Sequence, residues 1–290
     1  MKKIKIVIPV FNDWQSLSKL LENINNEISK LEVEISVIIV NDASTESRPE
    51  INLNLNNIKS IQVINMKENR GHARCIAAGL KYIFENEEFD HVIPMDGDGE
   101  DRPEEIKQFI DNIKYHPDKA IVGERVKRSE NIFFKFCYAV HKLLTFTFTG
   151  QSIKFGNYTC LPKFIVEKMV NEKATWCSFS GSLAKVAKDR ASVPSERGSR
   201  YFGPSKMSFM NLVKHSLSII AVFRINVLIR SIFFLLIYLF LIAQNISLIT
   251  LIPIPIIIVM IIAVFSTSNR ENISEFKNSL TNINKVENLK

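Results

Sequence analysis

Cysteine is scarce in this chain and never closely paired. Cys75, Cys137, Cys160 and Cys177 form no C-x-x-C pattern and sit in apolar or mixed stretches. A disulfide framework or zinc ribbon is therefore not expected, and reduced thiols are. Glycine-rich phosphate signatures are missing as well. No G-x-G-x-x-G follows the first apolar run and no G-x-x-x-x-G-K-[ST] occurs anywhere, which argues against a dinucleotide oxidoreductase and a P-loop NTPase. His72, His141 and His215 stand alone, with no spacing that suggests metal ligation. The opening MKKIKIVIPVF is broken by Lys5 and Pro9 and runs straight into polar residues, so it reads as a first strand and not as a signal peptide.

What is present first is an alternation of strand and helix patterns. Ile- and Val-rich runs at 3–11, 33–40, 58–64, 91–95 and 120–123 read as strands. Between them, Leu17, Leu20, Leu21, Ile24 and Ile28 recur at helical spacing, with Asp13 or Ser16 available as N-cap. Residues 71–84 form a second helical pattern, and Pro103 opens a third. This spacing predicts an α/β protein with a mostly parallel sheet. The polar clusters FND (11–13), NDAST (41–45) and DGDGED (96–101) each follow a strand. They would then meet at the carboxyl rim, where such sheets bind ligands.

The second half changes character. Residues 131–149 place aromatics at near-helical spacing, and 207–223 read as an amphipathic helix. Two apolar segments follow, 225–243 with only Arg230 charged and 246–265 with no charge, separated by Gln244 and Asn245. Each is long enough to span a hydrocarbon core of about 30 Å as a helix. Pro253 and Pro255 should kink the second. A buried hairpin in a soluble core is the alternative. Between Lys185 and Arg230 lie nine basic residues against Asp189 and Glu196, a local excess equal to the formal charge of the whole chain, +7. Basic residues before and after the apolar pair place both of its ends in the cytoplasm by the positive-inside rule, and Arg230 can snorkel to the headgroups. The clustering suits an anionic membrane surface or phosphorylated ligands. The expected division is a globular domain at 1–215, an interfacial connection at 216–224, a transmembrane hairpin at 225–268 and a cytoplasmic tail at 269–290. The hairpin could also assemble with copies of itself.

MDGDGED (95–101) packs Asp96, Asp98, Glu100 and Asp101 around two glycines. A calcium loop does not fit: the sixth position is Asp101 where glycine is needed, the twelfth is Lys107 where Glu is needed, and a strand precedes it. Asp96 and Asp98, two residues apart in a turn, can face one side, and hard carboxylate oxygens suit Mg²⁺ or Mn²⁺ with a phosphorylated ligand.

PVFND (9–13), VNDAST (40–45), NRGHARCIAAGL (69–80), MDGDGEDRPEEI (95–106) and ERGSRYFGPSKM (196–207) together resemble glycosyltransferase family 2, and within it the polyprenyl-phosphate sugar transferases similar to dolichol-phosphate mannose synthase. The resemblance covers roughly residues 3–215. It implies a GT-A fold, mostly parallel and Rossmann-like, with a nucleotide-sugar donor, a divalent metal, a polyprenyl-phosphate acceptor and inversion at the anomeric carbon. Nucleic acid is not an expected partner. By this resemblance Pro9, Asn12 or Asp13, Asp42, Asn69, Gly71 and Gly97 line the nucleotide, with Asp42 accepting hydrogen bonds from the base. Asp96 and Asp98 are the D-x-D, and Glu100 is a third metal contact. Arg125, Arg197, Arg200, Ser205 and Lys206 face the donor diphosphate or acceptor phosphate. One position departs: Gly156-Asn157-Tyr158 stands where many relatives have Gly-Asp-Phe. Asn cannot ionise. A hydroxyl acceptor wants a base, whereas a phosphate is already an anion, so Asn157 favours the lipid phosphate. A saccharide or other hydroxyl acceptor and an inactive membrane scaffold are the other two readings. A processive polysaccharide synthase is not expected, because no Gln-x-x-Arg-Trp motif is present.

Overall fold

The structure, a computed structural model, describes residues 1–49, 54–127, 132–204 and 208–290. Its chain divides into two compact units. The first comprises Met1–Ser129, Lys154–Lys206 and Asn272–Lys290; the second comprises Glu130–Ile153 and Met207–Glu271. The expected boundaries shift accordingly, because residues 130–153 group with the helical unit and the expected tail returns to the sheet unit.

The first unit is built on one eight-stranded sheet. The strands are β1 (Lys2–Val10), β2 (Val33–Asn41), β3 (Ile61–Met66), β4 (His91–Pro94), β5 (Ala120–Lys127), β6 (Phe155–Pro162), β7 (Arg190–Glu196) and β8 (Ile283–Asn288). Their order is β7-β5-β6-β4-β1-β2-β3-β8. The pairs β1–β2, β1–β4, β2–β3 and β5–β7 are parallel, while β4–β6, β5–β6 and β3–β8 are antiparallel. The parallel half is the part that periodicity anticipates. Strands buried on both faces read as apolar runs, and β1 does from Ile6 to Val10 and β2 from Val37 to Val40. By contrast, β6 and β7 carry Asn157, Thr159, Ser192 and Ser195 among their apolar positions, so no clean run announces them. β8 carries Asn284, Lys285 and Glu287 on a largely exposed edge.

Helices α1 (Trp14–Glu27), α2 (His72–Asn86) and α3 (Ile106–Ile113) cover the sheet. Leu17, Leu20, Leu21 and Ile24 of α1 are fully buried and pack with Ile4, Ile6, Ile35, Val37 and Phe109. On the opposite face α2 lies so close that a Cβ at Gly79 would come within 2.6 Å of Val7 and 2.9 Å of Val40. Only glycine permits that approach. At about 25 cal/mol per Å² of apolar area, such burial is the main stabilising term of the unit.

The second unit holds α4 (Ile132–Thr149), α7 (Phe209–Ala221), α8 (Arg224–Ile242), α9 (Leu248–Leu251) and α10 (Pro253–Ser268), after α5 (Lys163–Val170) and α6 (Phe179–Val186) of the first. Two stretches, Arg224–Ile242 and Leu248–Lys277, are long and apolar enough to cross a membrane, and only 11% and 6% of their most apolar parts are buried. Such exposure rules against the soluble-core alternative, in which these faces would be covered. At the expected kink the hydrogen-bond ladder is interrupted between α9, which ends at Leu251, and α10, which begins at Pro253, because a proline lacks the N–H that would continue it; Ile252 between them keeps helical dihedrals, φ −56° and ψ −40°. Arg230 is exposed. Its Nη1 donates to the carbonyl of Thr147 at 3.0 Å. Arg224 pairs with the nearly buried Glu271 at 3.0 Å.

Candidate active site

The rim is assembled by strand order. β4, β1 and β2 are adjacent and parallel, so the segments after Pro94, Val10 and Asn41 emerge side by side, about 4.8 Å apart per strand. FND, NDAST and DGDGED therefore share one edge.

Within the acidic turn the four carboxylates have separate jobs. Asp101 is buried and accepts the backbone N–H of Asp96 at 2.9 Å, so it folds the turn on itself. Asp98 accepts the N–H of Glu100 at 3.0 Å and Arg200 Nη1 at 2.9 Å. Glu100 is paired with Arg197. Arg200 reaches a second carboxylate, Asp13. Asp13 occupies the N-cap position of α1, but its side chain makes no capping bond. The segment 197–201 is held against the turn by its backbone as well: Gly198 donates to the carbonyl of Glu100 at 2.8 Å, and Tyr201 to that of Asp98 at 2.9 Å. Gly99 sits at φ +89°, and a Cβ there would lie 2.4 Å from the Tyr201 ring. Both facts demand glycine.

Asp96 faces a different set. Its Oδ1 lies 3.2 Å from His72 Nε2 and accepts from Asn157 Nδ2 at 3.4 Å, while Asn157 Nδ2 lies 2.8 Å from the same His72 nitrogen. Arg125 extends over Gly156 from the end of β5. Burial alone would raise the Asp96 pKa, but His72, Arg125 and the Asn157 amide hold it well below the usual carboxylate range. Asp98 is instead pushed up to about 6 by burial and by the charge of Asp96, only partly offset by Arg200 and Arg197. Partial burial opposes protonation of His72, yet Asp96, Asp101 and Asp98 outweigh it and raise its pKa. His72 is the residue that sequence reasoning missed, since nothing in its spacing marks it. The usable signal is positional: it is the first residue of α2, directly after the N-R-G turn. Asn157 is presented by its neighbour. Tyr158 points to the other face of β6, stacks edge-on against Phe109 at 4.8 Å and donates its hydroxyl to the carbonyl of Arg102 at 2.7 Å.

The remaining expected residues have these positions. Asn12, at φ 50°, accepts the N–H groups of Thr45 and Glu46 at 2.8 and 3.0 Å and so ties the β1 loop to the β2 loop. Ala43 also lies in the left-handed region, at φ 55°. Asp42 turns inward: its two oxygens accept the N–H groups of Arg70 and Gly71, each at 2.9 Å. Burial raises its pKa against those two donors. Pro9 is buried in β1 with its carbonyl under Gly97, and Asn69 is exposed on the loop after β3. Ser205 and Lys206 lie outside the described residues.

A divalent metal fits the donor set in a limited form. Among the described residues no three side chains make a ready-made cage, and Glu100 pairs with Arg197 as Asp98 does with Arg200. Asp96 and Asp98 are two hard carboxylates whose mutual repulsion a cation would relieve. Mg²⁺ is commonly held by one or two carboxylates plus substrate phosphates.

Comparison with known proteins agrees with this geometry. The undecaprenyl-phosphate 4-deoxy-4-formamido-L-arabinose transferase of Salmonella choleraesuis (strain SC-B67) is 28% identical over 223 residues, which covers 73% of this chain. The match spans 65% of that relative's length. Among solved structures, glucosyl-3-phosphoglycerate synthase from Mycobacterium tuberculosis, in complex with Mn²⁺, UDP and phosphoglyceric acid, superposes with a TM-score of 0.57 at 12% identity, covering 78% of each chain. S. aureus TarS in complex with UDP-GlcNAc gives 0.51 at 16% identity, covering 79% of this chain and 69% of that one. At such identities the two structures establish the fold alone. The model of Glycosyl transferase family 2 matches residues 5–165, more than half of the sequence and all three clusters FND, NDAST and DGDGED, and the chain belongs to that family.

Proposed function

We propose that this protein is a membrane-anchored, inverting glycosyltransferase that moves a sugar from a nucleotide-sugar to a polyprenyl phosphate at the cytoplasmic leaflet. The observation that carries the reading is the meeting of Asp96 and Asp98 with Arg125, Arg197 and Arg200 at one rim. A diphosphate leaving group gathers negative charge as the glycosidic bond breaks. A divalent ion held by Asp96 and Asp98 supplies positive charge to it. Arg197 and Arg200 already lie against the acidic turn, so they can move from carboxylate to phosphate over a short distance and stabilise charge where it develops.

Asn157 supports this acceptor. It stands beside Asp96 and His72 and cannot take a proton, whereas a lipid phosphate attacks as an anion and needs no base. The name of the Salmonella relative points to the same acceptor class. Membrane anchoring rests on the two exposed apolar stretches. The chain leaves the sheet unit before them and rejoins it at Asn272, so the number of crossings is even. Basic residues on both flanks favour the cytoplasmic side for the sheet unit.

The test uses purified full-length protein, Mn²⁺, polyprenyl phosphate and radiolabelled nucleotide-sugars. Label should partition into organic solvent with one donor. Metal-dependent turnover that appears only with a saccharide acceptor would replace the lipid-phosphate reading. Asp98→Asn should lower transfer by ~100-fold or more, with melting and membrane association unchanged; full activity in that variant removes the metal assignment.

A further inference from the structure

The segment that returns after the apolar helices packs against the donor side of the rim. β8 pairs antiparallel with β3, and the register places Lys285 opposite Asn65, which is itself opposite Asn41 on β2. Asn41, Asn65 and Lys285 thus form one cross-strand row at the carboxyl ends of β2 and β3 and the start of β8, on the same face of the sheet. Asn41 Nδ2 donates to Asn65 Oδ1 at 2.8 Å. Around the row lies a cavity of about 430 Å³, lined by Asn41, Ser44 and Asn65 on one side and Asn284, Lys285 and Glu287 of β8 on the other. That volume suits a small planar ligand group held by a few polar contacts.

The same returning segment braces the loop between β3 and α2. Lys67 donates its backbone N–H to the carbonyl of Asn282 and its Nζ to that of Thr281, both at 2.7 Å. Glu275 pairs with Arg70 and with Arg74. Arg70 and Gly71 are the donors to Asp42. One side of this turn is therefore held by Asp42 and the other by residues beyond the apolar helices.

The lining indicates which part of a nucleotide the cavity takes. Lys285 pairs with Glu287 at 2.9 Å, Glu287 is also bridged to Arg48 at 2.7 Å, and Lys67 Nζ donates to the carbonyl of Thr281, so each of these cations is tied to a protein oxygen. Asn65, Asn284 and Ser44 line the same cavity, and their amides and hydroxyl match the in-plane donors and acceptors of a heterocyclic base. Position agrees: β4 and β3 are three strand spacings apart, ~14 Å, a span that a nucleoside diphosphate bridges with its phosphates at Asp96 and Asp98.

We propose that β8 forms the outer wall of the nucleoside pocket, and that Asn284 and Lys285 help decide which base the donor carries. This rests on the nucleotide-sugar reading above. The test is calorimetric titration of the full-length protein in nanodiscs with UDP, GDP, ADP, CDP and inorganic pyrophosphate, each with Mn²⁺. Both residues are exposed, so the Asn284→Ala/Lys285→Ala variant should fold, and a thermal melt checks it. Expected is a loss of ~5-fold or more in affinity for the preferred nucleotide, a flatter ranking of bases, and pyrophosphate binding within about two-fold of the parent. If the parent binds its nucleotide and the variant matches it in strength and ranking, the role of β8 is overturned while the donor reading stands. Equal weakening of nucleotide and pyrophosphate also overturns it, because the effect would then be on the phosphates. A parent protein that binds none of the nucleoside diphosphates overturns both.

Discussion

Asn157 and His72 show how one uncharged amide can set the electrostatics of a carboxylate turn. Asn157 Nδ2 lies within reach of both Asp96 and His72 and adds a donor without adding charge. Asn157→Asp would remove that donor and set a third carboxylate beside Asp96 and Asp98. Transfer to a polyprenyl phosphate should then fall, by ~10-fold or more, because an anionic acceptor meets added like charge. The assay is initial rate against acceptor concentration. A rise in rate would mean that a general base had been missing, and would point to a hydroxyl acceptor.

At the scale of elements, the rim depends on a buried carboxylate that holds the end of β7. Glu105, 5% exposed just ahead of α3, accepts the hydroxyl of Ser195 at 2.7 Å and the N–H of Glu196 at 2.8 Å. It pins the end of β7, from which Arg197 and Arg200 extend. Glu105→Gln exchanges one acceptor for a donor and leaves one of these groups poorly paired, at a cost of about 1–3 kcal/mol. Thermal denaturation should show the loss. Donor affinity should fall with it, since the arginine segment loses its anchor; an unchanged affinity would separate β7 from the site.

His91 on β4 gives the core a dependence on acidity. It is 4% exposed, and neither ring nitrogen has a hydrogen-bond partner among the described residues. Burial, with Lys2 nearby, lowers its pKa to about 4. The unfolded chain binds a proton below about 6.5 while the folded chain does not, so stability falls as pH drops from about 6.5 to 4, by up to ~3 kcal/mol. Melting temperature against pH should slope in that window, and His91→Leu should flatten it. A slope that persists in the variant assigns the effect to other groups.

For the molecule as a whole, the return of the chain to its own sheet constrains topology. β8 can pair with β3 only if the segment after the apolar stretches comes back to the side from which the chain left. Tags at the two ends should therefore be digested together in sealed vesicles, and a cysteine placed at Asn245 should label only from the opposite face. Termini on opposite faces would exclude a two-span hairpin.

Periodicity and motif order determined much of this protein. The apolar runs of β1 and β2 and the helical spacing of α1 are local consequences of burial on two faces or on one stripe. Clusters that follow parallel strands must converge whatever the rest does. The apolar stretches were equally legible, since their length and lack of charge are properties of the chain itself. Tertiary structure alone decided the partners. Asp42 turns to the Arg70–Gly71 backbone, Glu100 is taken by Arg197, and His72 reaches Asp96 across the rim, because each contact joins residues far apart in sequence. β6 and β7 mix Asn, Thr and Ser into their runs, and β8 is an exposed polar edge. What makes them strands is pairing with β4, β5 and β3, which no local pattern encodes.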